Sequence, residues 1–152
     1  MASHMKITSP AFNHGQFIPP KYTCDGEDVV NPPFAFSKIP KNTKSLVLMI
    51  DSPQVPSRDW IHWLLWNIPA NTKGIAEGGV PKGARVAKND FHHPDYHGPC
   101  PPVGVVHQYQ FKLYALDTKL KLAHDAKKKE IERAMHGHVI EHAILVGLYK
   151  RK

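Results

Sequence analysis

Two histidines and a tyrosine stand beside proline-stiffened corners. His62 lies in Trp60 to Ile68. His107 and Tyr109 follow the stretch Y-H-G-P-C-P-P-V-G-V-V-H-Q-Y from Tyr96 to Tyr109. Each proline there fixes its φ and removes an N–H donor, so the segment is a rigid loop. If the two strand ends are neighbours, two imidazoles and a phenol converge. Unperturbed imidazoles titrate near about 6.5 and can donate to an anion. The chemistry expected is a small pocket for a phosphate- or carboxylate-sized group, rimmed by the Pro loop.

Two other chemistries use the same residue types. His62, His92, His93, His97, Cys100 and His107 could ligate zinc, but their spacing matches no closed structural site and no H-E-x-x-H is present. No metal or cofactor is expected, and the 92–97 histidines read as exposed loop residues. Cys100 activated by His62 or His107 would be a hydrolase nucleophile, yet no third group that orients the base is visible. Glycine-rich nucleotide loops are absent. A binding module is the first reading, and a Cys- or metal-dependent hydrolase the alternative.

The elements that must position these residues follow from periodicity. From His107 to Ala115 the sequence alternates, with His107, Tyr109, Phe111, Leu113 and Ala115 on an inward face. Leu46 to Ile50 and Ala143 to Leu148 read as buried strands. Trp60 to Ile68 reads as a strand covered on both faces, with Trp60, His62, Leu64 and Trp66 together on one of them. Asp125 is placed to cap a helix over 126–136, ended by Gly137, with Ile131, Ala134 and Met135 as its apolar stripe. Residues 6–36 read as short strands and turns. Asn71 to Asp95 shows no period and reads as a functional loop. The fold class predicted is mainly β, two packed antiparallel sheets with peripheral helix.

A chain of 152 residues suggests one domain. Residues 1–4 read as an expression-vector scar, leaving 5–152 as the domain. The net charge is +7, but the basic run Lys127 to Lys129 lacks interleaved aromatics, so no nucleic acid partner is expected. No run of about 18 apolar residues is present, so no membrane span is expected, and a cytoplasmic location is the default. Cys24 and Cys100 read as two free thiols.

Taken in order, the motifs resemble the phosphatidylethanolamine-binding proteins, also called Raf kinase inhibitor-like proteins, in their bacterial and archaeal branch. They are I-T-S-P-A-F, I-P-P-K-Y-T-C-D-G, W-I-H-W-L-L-W-N-I-P, N-D-F, Y-H-G-P-C-P-P, H-Q-Y-Q-F-K-L-Y-A-L-D, G-H-V-I and L-V-G-L-Y-K-R. The resemblance covers Lys6 to Arg151. It implies a Greek-key-like two-sheet β-fold with a few peripheral helices, and a pocket for phosphate or a phospholipid headgroup. It further implies a regulatory role such as kinase inhibition, and a homodimer, whose interface we expect at 71–95. Ligand-binding positions carried over are Ser52, Gln54, Trp60, His62, Gly98, Cys100, Pro101, Pro102, His107 and Tyr109. The family's corner usually reads D-P-D-A-P; here it is Ser52-Pro53-Gln54-Val55-Pro56, without either carboxylate. Asp51 stands one position early and by alternation faces with Val47 and Met49, away from Ser52.

Overall fold

Eight consecutive residues, Ser45–Ser52, are all buried, as expected of a strand with neighbours on both edges and cover on both faces. This is the fourth strand of the chain. The computed structural model describes residues 4–53 and 60–152. Among them the strands run β1 Lys6–Thr8, β2 Gln16–Phe17, β3 Phe34–Ser37, β4 Ser45–Ser52, β5 Trp60–Pro69, β6 Gly74–Ile75, β7 Arg85–Val86, β8 Val106–Leu116 and β9 Val139–Lys150; helix α1 spans Lys128–Met135.

The large sheet has the order β2-β9-β8-β4-β5-β7 and the small one β1-β3-β6. The mainly β, two-sheet fold is therefore present. One detail differs from the expectation of purely antiparallel sheets: β2 runs parallel to β9, with Phe17 opposite Leu148. Among the described residues there is one α-helix and a single 3-10 turn at Pro20–Tyr22. No helix among them is long and apolar enough to cross a membrane.

Alternation sorts the side chains into two cores. Leu46, Leu48 and Ile50 of β4 face the small sheet with Phe111, Leu113, Phe34 and Phe36. Phe111 sits between Phe12 and Phe34, with centroids at 5.6 and 5.4 Å, the tilted geometry that aromatic quadrupoles favour. Val47 and Met49 face the opposite side, where Ile131 and Met135 of α1 cover them. The helix is shorter than expected. It begins after Lys127, not Asp125, because Glu130 accepts the Lys127 N–H at 3.2 Å while Ala126 is drawn into the core. Gly137 follows it at φ +82°, the left-handed turn that ends helices.

Strand β5 breaks its own alternation. Ile50 pairs with Trp63, but Asp51 pairs with Ile61, so His62 is the extra residue at a register shift. Beyond the shift Ile61 joins the helix-side core with Leu64 and Trp66, whereas Trp63 faces the small sheet. His62 therefore does not share the face of Leu64 and Trp66 that simple alternation gives it.

A histidine pocket at the open end of the large sheet

The bulge turns His62 into a cavity of about 430 Å³ lined by Ser52, Trp60, His62, Phe91, His97, Cys100, Pro101, Pro102, His107 and Tyr109. Ser52 closes β4, Trp60 and His62 open β5, and His107 and Tyr109 open β8. The central strands thus deliver their ends to one mouth, and the Pro loop walls it. Asp51, in phase with Val47 and Met49, is on the other face, 2.8 Å from Lys112 Nζ. Gln54 lies outside the described residues. Gly98 is not on the wall itself. It lets the loop pass the chain at Tyr22, whose carbonyl oxygen would lie 2.6 Å from a Cβ at this position.

His62 is 5% exposed and held from behind. Its Nδ1–H donates to the His97 carbonyl at 2.8 Å, and the His97 N–H donates back to the His62 carbonyl at 3.1 Å. Burial pushes the imidazole down from 6.5 to about 4, with the neighbouring His97 lowering it further and the His97 carbonyl and Asp90 opposing. The ring is therefore neutral at physiological pH. It packs against Tyr109 at 5.4 Å, edge on, and against Phe91 at 5.4 Å. Burial likewise pushes the Tyr109 phenol up to about 12, so it stays protonated.

The sequence reading missed two wall residues and their support. His97, expected as an exposed loop histidine, stacks on Phe91 at 3.4 Å with rings 6° apart, and both line the cavity. Asn89, 4% exposed, fixes this wall. Its amide donates to the carbonyls of His62 (3.2 Å) and Asp95 (2.8 Å), and its Oδ1 accepts from the N–H groups of Phe91 (2.9 Å) and His93 (3.1 Å). Asp90 pairs both ways with Ile61, at 2.7 and 3.0 Å. The aperiodic stretch is thus not a structureless loop: it holds the short strands β6 and β7, and residues 87–97 continue as a strap along the edge of β5. Its signal was the motif N-D-F, which carries turn-forming side chains but no period.

The two cysteines are not free thiols. Cys24 and Cys100 form a disulfide, with Cα atoms 5.4 Å apart. Elements 76 residues apart in sequence meet at the pocket rim, where Cys24 N–H also donates to the Pro99 carbonyl at 3.1 Å. This corrects the thiol expectation. It also removes the Cys100 nucleophile, because a sulfur in a disulfide has no thiolate to offer. Among the described residues no group of three or more His, Cys, Asp or Glu side chains is placed to hold a metal.

A family model described as phosphatidylethanolamine-binding protein matches residues 8–150. A UPF0098 protein of Pyrococcus horikoshii is 48% identical over 97% of this chain and 77% of its own length. One from Methanothermobacter thermautotrophicus is 45% identical over 97% of this chain and 99% of its own. The crystal structure of a phosphatidylethanolamine-binding protein homologue from Chlamydia trachomatis superposes with TM-score 0.91 at 38% identity, covering 98% of this chain and 99% of that one. That of Escherichia coli YbcL, described as a member of the mammalian PEBP family, gives 0.89 at 27%, covering 99% and 100%.

Proposed function

From the premise that the chain belongs to the phosphatidylethanolamine-binding protein family, we propose that it is a binding module whose pocket takes a phosphate-type anion, free or as a headgroup. The observation that carries this is the meeting of His62, His107, Tyr109 and Ser52 in one cavity with aromatic and proline walls. The polar groups fix orientation, and the low-polarity wall strengthens each hydrogen bond. The test is a titration with inorganic phosphate followed by NMR of the pocket residues. Shifts confined to the pocket are expected. No shift at tens of millimolar phosphate, on the order of the weakest useful site, would sink the reading.

An enzymatic role has less to rest on. With Cys100 engaged in a disulfide, the nucleophile of the hydrolase reading is gone, and the binding reading needs none. A regulatory action on a protein partner such as a kinase is supported by family membership alone. Its test is inhibition of a purified kinase by the intact protein. Self-association as a homodimer is part of the same proposal. The exposed apolar residues Phe17, Val106 and Ile144 lie on β2, β8 and β9, and we propose that face for the contact beside the 71–95 stretch, which exposes Val80. Light scattering of wild type and Ile144→Arg checks it: a dimer split by the arginine is expected, and a wild-type monomer refutes it.

The disulfide bears on location. Such bonds persist in oxidising compartments and in the cytosol of hyperthermophiles. A cytoplasmic location is proposed in that second form, and thiol labelling of the protein in unbroken cells would test it.

A further inference from the structure

His62 presents the pocket with an acceptor. Its Nδ1 is 2.8 Å from a carbonyl oxygen, which can only accept, so the ring proton of the neutral imidazole belongs on Nδ1. The reciprocal bond from the His97 N–H, with Asn89 also on the His62 carbonyl, holds this tautomer in place. Nε2 is the ring nitrogen left for a ligand, and it carries a lone pair. A fully deprotonated oxyanion brought against that lone pair is repelled. An oxyanion that still carries one proton can donate it.

We propose that the pocket takes phosphate in its singly protonated form, the P–OH donating to His62 Nε2. It thereby narrows the anion reading: phosphate and phosphomonoesters are selected over sulfate esters and phosphodiesters, so a diester lipid headgroup is the poorer occupant. This rests on the anion-binding reading and adds the protonation state and ester class of the ligand.

The remaining oxygens have donors in the Tyr109 phenol and in a His107 ring N–H, both on the cavity wall. The titratable groups that face His62 are His97 and Asp90 from the strap, and His107 and Tyr109 from β8; β4 contributes Ser52. Among the described residues the lining carries no Lys, Arg, Asp or Glu. Burial keeps His62 neutral down to about 4, while a phosphomonoester loses its second proton near about pH 6. Both partners therefore hold the required protons in the interval between those values.

The experiment compares phenyl phosphate with phenyl sulfate by calorimetry at pH 6 and pH 8. Inorganic phosphate, run in parallel, tells whether the free ion or its ester is the better occupant; it still carries a P–OH at pH 8, so its affinity should fall less with pH than that of the ester. At pH 6 phenyl phosphate should bind at least about tenfold more tightly than phenyl sulfate, the usual worth of a charge-assisted hydrogen bond. At pH 8 the phosphate must first regain a proton, and its affinity should fall by about fifty-fold relative to pH 6. Taking the ratio of the two ligands cancels any titration they share. Equal affinities at pH 6, or a ratio that does not change with pH, overturn the proton requirement and leave the anion pocket standing. Binding of neither ligand overturns both readings. His62→Phe should bring the ratio close to one; a folded variant that keeps the preference refutes the assignment. Nitrogen NMR of the wild-type His62 ring gives a second check that needs no variant: a proton found on Nε2 instead of Nδ1 overturns the proposal.

Discussion

His62 and His97 hold each other by their backbones and one side chain: Nδ1–H to carbonyl at 2.8 Å, N–H to carbonyl at 3.1 Å. A bulged residue is thereby tied to the strap that follows β7. Burying the imidazole in that lock has a consequence for stability. The folded-state value is depressed to about 4 from 6.5, so between those values the unfolded chain binds the extra proton and the native one does not. Stability from this group is complete above about pH 6.5 and is lost as pH falls toward 4. The loss is of order 3 kcal/mol, the free-energy equivalent of moving the value from 6.5 to about 4. Urea unfolding of wild type and His62→Phe between pH 4 and pH 7.5 should show a steep acid limb that the variant flattens. Parallel limbs would show that the ring is not buried neutral.

The Cys24–Cys100 bond closes a loop of 76-residue separation, and in the chain-entropy picture such a cross-link stabilises by about 4 kcal/mol. Cys24→Ser with Cys100→Ser should lower the urea midpoint accordingly and loosen the rim, so that phosphate affinity drops together with stability. Oxidised and reduced wild-type protein with the same midpoint would contradict this. The backbone bond from Cys24 to Pro99 and the close pass of Gly98 would then be sufficient to hold the rim without the sulfur bridge.

Asn89 serves four backbone groups from a buried position, so its loss leaves donors and acceptors unpaired away from water. Asn89→Ala should destabilise by roughly 2–4 kcal/mol, since each orphaned buried group costs about 1–3 kcal/mol and some regain water. Hydrogen exchange should place the loosening in residues 87–97. A change spread evenly over the sheets would mean that Asn89 supports the whole fold and not the strap.

The long strands were legible because alternation and apolar runs are local. Tyr109, Phe111 and Leu113 point inward as their period demands, and Ser52 and Asp51 divide between the two faces of β4 as expected. The face of His62 was not legible. A one-residue shift opposite the Ile50–Asp51 step leaves no mark in a sequence as apolar as W-I-H-W-L-L-W, where either face could be buried. The disulfide escaped for a different reason: two cysteines 76 residues apart carry no spacing signal, and only the fold brings them together. His97 and Phe91 escaped because their place on the wall is set by hydrogen bonds from Asn89 to backbone, and periodicity does not report those. The site residues that were named came largely from the resemblance, with the H-x-Y alternation as independent support.

Ser52 offers the sharpest test of how the pocket treats charge. It ends β4 on the inward face, is 5% exposed, and lines the cavity with His62. The family pattern puts a carboxylate at this corner, whereas this chain has a hydroxyl. At an effective dielectric of about 20, two unit charges some 5 Å apart interact by roughly 3 kcal/mol. Ser52→Asp should therefore weaken phosphate binding at pH 7–8 by about tenfold to a hundredfold, the upper end being that full repulsion. The same carboxylate favours protonation of the neighbouring imidazole, so the pH at which His62 titrates should rise above its buried value. A cationic His62 donates from both nitrogens and no longer demands a proton from the ligand. The preference for phenyl phosphate over phenyl sulfate should thus shrink in Ser52→Asp even where both bind more weakly. Calorimetry with the two ligands at pH 6 and pH 8, alongside NMR titration of the His62 ring, reads both effects. Unchanged affinity with an unchanged His62 titration would mean that the side chain at position 52 does not act on the histidine electrostatically.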